Sequence, residues 1–366
     1  MIPARSLPRF RRNLLGWFRQ FQRDLPWRRD KDPYRVWLAE IMLQQTRVAA
    51  VIPYYECFLA AFPDVASLAE APQDDVLRLW SGLGYYSRAR NLQKAAQQIA
   101  AKHGGIFPDS VDEALALPGI GNYTAAAILS IAYDKVLAVL DGNVARVLAR
   151  LGGIRGDLRS SPRWEQLQKT ANTLLEPCSP GDWNQALMEL GATLCTPQSP
   201  QCLLCPVGEF CKARKQGLVD SIPEKRTKRA AEEITLAALV FVDPKGRTLL
   251  LPPPQVGEKT DDKGNVSALL SWLWHFPTIE VRSDAAKELK VYIEKSVVGG
   301  KLLAKKLCAL KKLRHAVTYR SITVLPFRAS VAKLPLLSHA KSVPVDDLSS
   351  LPVSNLTHKV ARAALP

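Results

Sequence analysis

Apolar residues recur at helical spacing through roughly the first 215 positions and give way to strand-like alternation beyond about residue 232. The chain therefore reads as a helical domain followed by a mixed α+β one. Leu14, Leu15, Trp17, Phe18 and Phe21 predict an amphipathic helix over 14–25, which Leu25-Pro26 ends; Asp32-Pro33 opens the next. That next helix reads as one run from about Tyr34 through Tyr55, with Trp37, Leu38, Ile41 and Met42 apolar around Glu40. Short helical patterns fill 62–107, and further helices are predicted around 164–175 and 183–194. Strands are expected over 234–242, 247–251 and 316–327, the first two joined as a hairpin through Asp243-Pro244-Lys245-Gly246. A polar insertion over 257–267 and a helix over 285–294 complete the second domain.

Leu117 to Arg150 is the most informative stretch. Leu117-Pro118-Gly119-Ile120-Gly121 is a tight turn feeding an Ala-rich helix over about 123–132, so Gly119 and Gly121 can aim backbone N–H groups outward at a helix N-terminus, a geometry suited to a phosphate. The apolar run Val136–Leu140 then stops at Asp141-Gly142-Asn143 before a helix carrying Val144, Val147, Leu148 and Leu151. One carboxylate thus sits at a helix mouth. A second, Glu40, is set in an apolar surround that favours its protonated form.

Charge adds a partner. The 366 residues carry 50 Lys and Arg against 34 Asp and Glu, a balance of +16 that points to a polyanion. Ten of the basic residues, Arg28 among them, lie in the first 35 positions, which hold three aspartates and no glutamate. No apolar run approaches the roughly 20 residues of a membrane span, and no apolar signal core follows the N-terminal arginines. Of seven cysteines, Cys195, Cys202, Cys205 and Cys211 crowd together with the spacing C-x6-C-x2-C-x5-C, while Cys57, Cys178 and Cys308 are scattered. This usage fits metal binding in a reducing compartment, so a cytoplasmic location is expected. The spacing alone leaves zinc and a 4Fe-4S cluster open.

These features together resemble a known family. Leu-Pro-Gly-x-Gly followed some twenty residues later by an apolar run ending in Asp resembles the helix-hairpin-helix DNA glycosylase superfamily. Within it, the string Glu40-Ile41-Met42-Leu43-Gln44-Gln45-Thr46 is similar to the hallmark of the MutY-type adenine DNA glycosylases. The resemblance implies that the hairpin, through Gly119 and Gly121, grips a DNA phosphate. It implies further that Glu40 protonates adenine, that Asp141 faces the sugar with Asn143 supporting it, and that Gln45 enters the base stack. Gly82-Leu83-Gly84-Tyr85-Tyr86 is also similar to a family string; Tyr85 would stack beside the opposite guanine, with Leu83 and Arg28 among the DNA-contacting residues. The cysteine spacing matches the iron-sulfur loop of endonuclease III and MutY, which implies a 4Fe-4S cluster, although residues 196–201 lack the basic character usual there. Tyr123 occupies the position where endonuclease III-like lyases carry a lysine.

The resemblance divides the chain into a catalytic domain over 1–222, with its helix-hairpin-helix at 113–133 and cluster loop at 195–211, a linker over 223–232, and a Nudix-like lesion-recognition domain over 233–362. Trp272-Leu273-Trp274-His275-Phe276-Pro277 is similar to that domain's Trp and Phe-Pro segment, and Val317-Thr318-Tyr319 aligns with its recognition loop, giving Thr318 a hydroxyl to offer the lesion. No Arg-Glu-x-x-Glu-Glu run is present to hold the magnesium of a true Nudix hydrolase. The expectation is a monomeric, monofunctional glycosylase excising adenine opposite 8-oxoguanine or guanine from double-stranded DNA, without a membrane partner. Its rivals are an endonuclease III-like glycosylase with lyase activity and a non-catalytic DNA-binding protein.

Overall fold

The computed structural model describes residues 2–224, 230–253, 272–298, 307–317, 319–337 and 339–365. Its packing divides the chain into two units, Met1–Glu70 with Asn91–Thr227, and Ala71–Arg90 with Lys228–Pro366. The boundary expected near residue 222 is therefore not a single cut, because residues 71–90 pack with the second unit. The insertion expected over 257–267 lies outside the described residues, as does part of the basic run after Lys301.

In chain order the helices up to the linker are α1 (Leu7–Phe21), α2 (Pro33–Leu43), α3 (Val48–Ala61), α4 (Val65–Glu70), α5 (Gln73–Leu79), α6 (Ser87–Lys102), α7 (Val111–Leu115), α8 (Asn122–Tyr133), α9 (Gly142–Gly152), α10 (Ser161–Leu174), α11 (Pro180–Thr193) and α12 (Lys212–Lys215). Helix α1 starts earlier than its apolar face suggests, because Pro8 supplies a favourable first turn. Asp32 caps α2 by accepting from the Arg35 amide at 2.9 Å.

The single helix expected from Tyr34 to Tyr55 is two. It breaks at Gln44–Arg47, where Gln45 takes a left-handed φ of 57° and the Thr46 hydroxyl donates to the Gln44 carbonyl at 3.3 Å. A side chain bonding its own neighbouring backbone competes with the helical ladder, and periodicity does not reveal this.

Helix α11 organises the first unit. A Cβ at Gly181 would stand 2.7 Å from the Ser130 carbonyl oxygen, so only glycine lets α11 approach α8 this closely. Three residues on, fully buried Asn184 donates to Ser130 Oγ at 2.8 Å and to the Leu137 carbonyl at 2.7 Å, and accepts from the Val139 amide at 3.2 Å. All of its bonds go to α8 or to the apolar run leading to Asp141, which fixes that run between α8 and α9. The rings of Phe10 and Trp183 meet edge-on at 5.7 Å and join α1 to the other side of α11.

The second unit is built on a mixed sheet ordered β3-β1-β6-β4, from β1 (Glu232–Val242), β2 (Arg247–Leu250), β3 (Thr278–Glu280), β4 (Leu307–Ala309), β5 (Leu313–Val317), β6 (Arg320–Ser330) and β7 (Lys341–Pro344). Strand β5 also pairs β6, and β1 and β6 run parallel over their full lengths. Strand β1 is buried on both faces. Ile234, Leu236, Ala238 and Val240 pack towards helix α14 (Asn355–Ala364), while Ala237, Leu239 and Phe241 pack towards α13 (Ala285–Tyr292). The hairpin expected from β1 and β2 is not formed. Asp243 does build the turn, its carboxylate accepting from the Lys245 and Arg247 amides at 2.9 and 2.8 Å, but β2 leaves to pair with β7 in a separate two-stranded sheet. A tight turn fixes the reversal of the chain without fixing the pairing beyond it. Among the described residues no helix is long and apolar enough to cross a membrane.

Candidate active site

Glu40, Gln45, Tyr123, Asp141, Asn143 and Arg28 line one cavity of about 640 Å³ inside the first unit. Several segments converge on it. Glu40 comes from the last turns of α2, and Gln45 from the break that follows. Tyr123 comes from the first turn of α8, Asp141 and Asn143 from the start of α9, and Met188 and Glu189 from α11.

Glu40 is buried, and burial pushes its carboxyl up to about 7. The negative charge of Asp141 pushes the same way, whereas a hydrogen bond from Tyr123 and the charge of Arg28 pull back. That bond runs from the Tyr123 hydroxyl to Glu40 Oε2 at 2.8 Å, and the same hydroxyl lies 3.1 Å from Met188 Sδ. Glu40 is thus a carboxyl that carries its proton near neutral pH.

Asp141 is held differently. It is the N-cap of α9, with Oδ1 accepting from the Val144 amide at 2.7 Å and Oδ2 from Asn143 Nδ2 at 3.3 Å. Burial raises its pKa on balance, and the Val144 and Asn143 amides, the Arg146 charge and the Asn143 side chain offset that rise in part by favouring the ionised form. Arg146 also orients Asn143: its Nη2 donates to Asn143 Oδ1 at 3.0 Å and to the Gly191 carbonyl at 2.9 Å, which leaves the Asn143 NH₂ facing Asp141. Two carboxyl groups in unlike surroundings therefore share one cavity, one suited to donate a proton and one to hold charge.

The hairpin lies between α7 and α8. Gly119 has φ +81°, and a Cβ there would stand 2.9 Å from Asn91 Cβ, so no other residue fits without displacement. Gly121 is the N-cap of α8; no side chain caps that end, and the space where its Cβ would stand is open. The first-turn amides of α8 are left for an external anion.

Other expected residues are engaged differently. Arg28 is not a free phosphate contact: its Nη2 donates to Glu189 Oε2 at 2.8 Å, and its guanidinium lies over the Phe18 ring. Leu83 is buried, 7% exposed, whereas Tyr85, two residues on, is 40% exposed at φ 45°. Alternation of glycines and large residues cannot tell which of two nearby side chains turns outward. Thr318 lies outside the described residues.

Sequence reasoning missed the wall opposite Glu40. Glu189 is almost fully buried, and its oxygens accept from Arg23 Nε at 2.6 Å, Arg23 Nη2 at 2.8 Å and Arg28 Nη2 at 2.8 Å. Burial raises its pKa, but these bonds and charges outweigh that and hold it below the usual carboxylate range. No signal in the sequence singled it out, since Glu189 shares its helical face with Asp182, Gln185 and Thr193.

The four clustered cysteines line a separate small cavity with Val147, Leu151, Leu190, Leu194 and Val207. Arg150 Nη1 lies 3.3 Å from Cys195 Sγ and donates to the Thr196 carbonyl at 2.7 Å, while Arg146 Nε donates to the Cys195 carbonyl at 2.9 Å. Burial pushes the Cys205 thiol up to about 11, so a cationic centre is needed to make it a thiolate. Four sulfur donors thus line one void with two guanidiniums beside it, although among the described residues no three ligands converge closely enough to hold a single metal ion.

Known proteins share this framework. Residues 38–180 match the HhH-GPD superfamily of base excision DNA repair proteins. The chain is 34% identical over 331 residues to an adenine DNA glycosylase of Buchnera aphidicola subsp. Baizongia pistaciae, covering 90% of this chain and 88% of that one. It is 48% identical over 226 residues to the adenine DNA glycosylase of Rattus norvegicus, covering 58% of this chain; the match spans less than half, 44%, of that longer relative. A solved thermostable thymine-DNA glycosylase is 28% identical with a TM-score of 0.53, covering 58% of this chain and 98% of that one.

Proposed function

We propose, for a chain that belongs to the adenine DNA glycosylase family, that it hydrolyses the glycosidic bond of adenine lying opposite 8-oxoguanine or guanine in duplex DNA. The observation that carries this reading is the pairing of protonatable Glu40 with capped Asp141 across one cavity, Tyr123 bonded to the former.

An adenine inside a duplex is out of reach, so the nucleotide must be flipped into the cavity. The uncapped N-terminus of α8 after Gly119-Ile120-Gly121 would hold a backbone phosphate while this happens. Glu189, kept ionised by Arg23 and Arg28, offers an acceptor to the exocyclic amine of the base. Glu40 then gives its proton to adenine N7, which makes the base a better leaving group. As the bond breaks, positive charge grows on the deoxyribose, and Asp141 stabilises it, with Asn143 keeping the carboxylate aimed.

Cys195, Cys202, Cys205 and Cys211 would hold the 4Fe-4S cluster, which ties the loop together and lends its charge to DNA positioning. In this reading the Nudix-like second unit inspects the opposite base, with Tyr85 stacking beside it and the Thr318 hydroxyl touching the lesion.

The lyase alternative requires an amine at the sugar. Among the described residues no lysine lines the cavity, and the Tyr123 phenol cannot form an imine. A non-catalytic role leaves the Glu40–Tyr123–Asp141 arrangement without purpose. Single-turnover excision from a duplex carrying A opposite 8-oxoguanine tests the reading. Asp141→Asn is expected to slow excision by about 10² or more while DNA affinity stays near wild type, because it removes transition-state charge rather than phosphate contacts. Near-normal excision by that variant would refute the assignment.

A further inference from the structure

The Tyr123 hydroxyl has one proton and two acceptors within reach, Glu40 Oε2 at 2.8 Å and Met188 Sδ at 3.1 Å. The two acceptors answer to different states of Glu40. As a carboxylate Glu40 can only accept, and the phenol donates to it. When the proton of Glu40 sits on Oε2, the oxygen that faces the phenol, the carboxyl O–H donates, and the phenol oxygen can take that bond only if the phenolic hydrogen turns away. Met188 Sδ stands where that proton would go. A thioether is a weak acceptor, but a phenol O–H left without any acceptor in a buried site is worse. The sulfur is also well fixed, because α11 is held against α8 by the close approach at Gly181 and by the bonds of Asn184.

We propose that Met188 is a positioning residue that acts through Tyr123: its sulfur accepts the phenolic hydrogen bond when Glu40 is protonated on Oε2, and so keeps that acid form of Glu40 hydrogen-bonded and ready in the absence of a base. The inference rests on the acid role assigned to Glu40. Other groups act on Glu40 by charge. Asp141 at the start of α9 favours its protonated form; Arg28, from the turn before α2, opposes it and is itself neutralised by Glu189 of α11, which Arg23 also binds. Met188 is uncharged, so its effect must vanish when the phenol is removed.

The test uses the full chain without DNA. The Glu40 carboxyl is titrated by ¹³C NMR of glutamate-labelled protein, its signal assigned by its loss in Glu40→Gln. Met188→Leu conserves volume but offers no acceptor. It is expected to lower the Glu40 transition by about half a unit to one unit, since only the protonated form loses a bond. Tyr123→Phe should raise the transition, and adding Met188→Leu to it should change nothing further. In single-turnover excision Met188→Leu should lose about 3- to 10-fold above the transition and recover as the pH falls. An unshifted Glu40 in Met188→Leu, or an equal shift in the Tyr123→Phe background, overturns the proposal. Wild-type excision by Glu40→Gln would instead overturn the acid role, while the carboxyl titration would still decide whether Met188 governs the phenol.

Discussion

Burial raises the pKa of both carboxyl groups of the cavity, but hydrogen bonds and charge hold Asp141 back while Glu40 rises to about 7. Glu40 is buried and bonded by one phenol, whereas Asp141 accepts from a helix N-terminus and an amide. The consequence for pH follows from sign. Folding raises the Glu40 pKa from 4.5 to about 7, so between those values the native state binds the proton more tightly than the unfolded chain. Stability linked to Glu40 is fully present below the unfolded value and is lost as pH rises through about 7. Glu40→Gln, which cannot ionise, should therefore be more stable than wild type above pH 7, on the order of 2–3 kcal/mol, with the gap closing in acid. Denaturant unfolding across that range measures it. The same variant should lack excision, and wild-type excision should fall about tenfold per unit above the transition. Glu40 and Asp141 were legible because each stands in a particular string. Met188, Glu189 and Arg23 were not, since a Met or a Glu within a helix looks ordinary until α11 brings it beside residues from α2 and α8.

At the level of elements, turn chemistry was easier to read than pairing or continuity. The Leu117–Gly121 turn, the helix after it and the helix capped by Asp141 form where the sequence places them, because glycine, proline and an N-cap act locally. The break at Gln44–Arg47 rests on a side-chain bond that periodicity does not reveal, and the divergence of β2 from β1 depends on its distant partner β7. The hairpin carries its own prediction. Gly119→Ala forces a side chain into a left-handed backbone position and against Asn91 Cβ at 2.9 Å. It should destabilise the protein by about 1–3 kcal/mol and weaken DNA binding uniformly across sequences, with a shallower salt dependence. Binding isotherms at several salt concentrations check this; unchanged affinity and slope would remove the hairpin from the phosphate contacts.

Across the whole chain, a net charge of +16 and four cysteines within seventeen residues were plain in composition and spacing, whereas the membership of residues 71–90 in the second unit was not, because packing need not follow chain order. Purified protein should contain about four irons per chain and absorb broadly in the visible if the cysteine cavity holds the proposed cluster. Removing the iron should leave buried thiols around a void and lower the melting temperature; stoichiometric zinc in protein prepared without air would contradict the assignment. The central claim, an acid and an anion excising adenine without an amine nucleophile, is tested most directly by product analysis. Under single-turnover conditions, duplexes carrying A opposite 8-oxoguanine, A opposite G, or an oxidised pyrimidine are incubated with the full chain and resolved with and without alkali. The account predicts adenine release from the first two, an abasic strand that breaks only after alkali, and no reaction with the third. Strand breakage without alkali at the rate of base release, or preference for the oxidised pyrimidine, would contradict it.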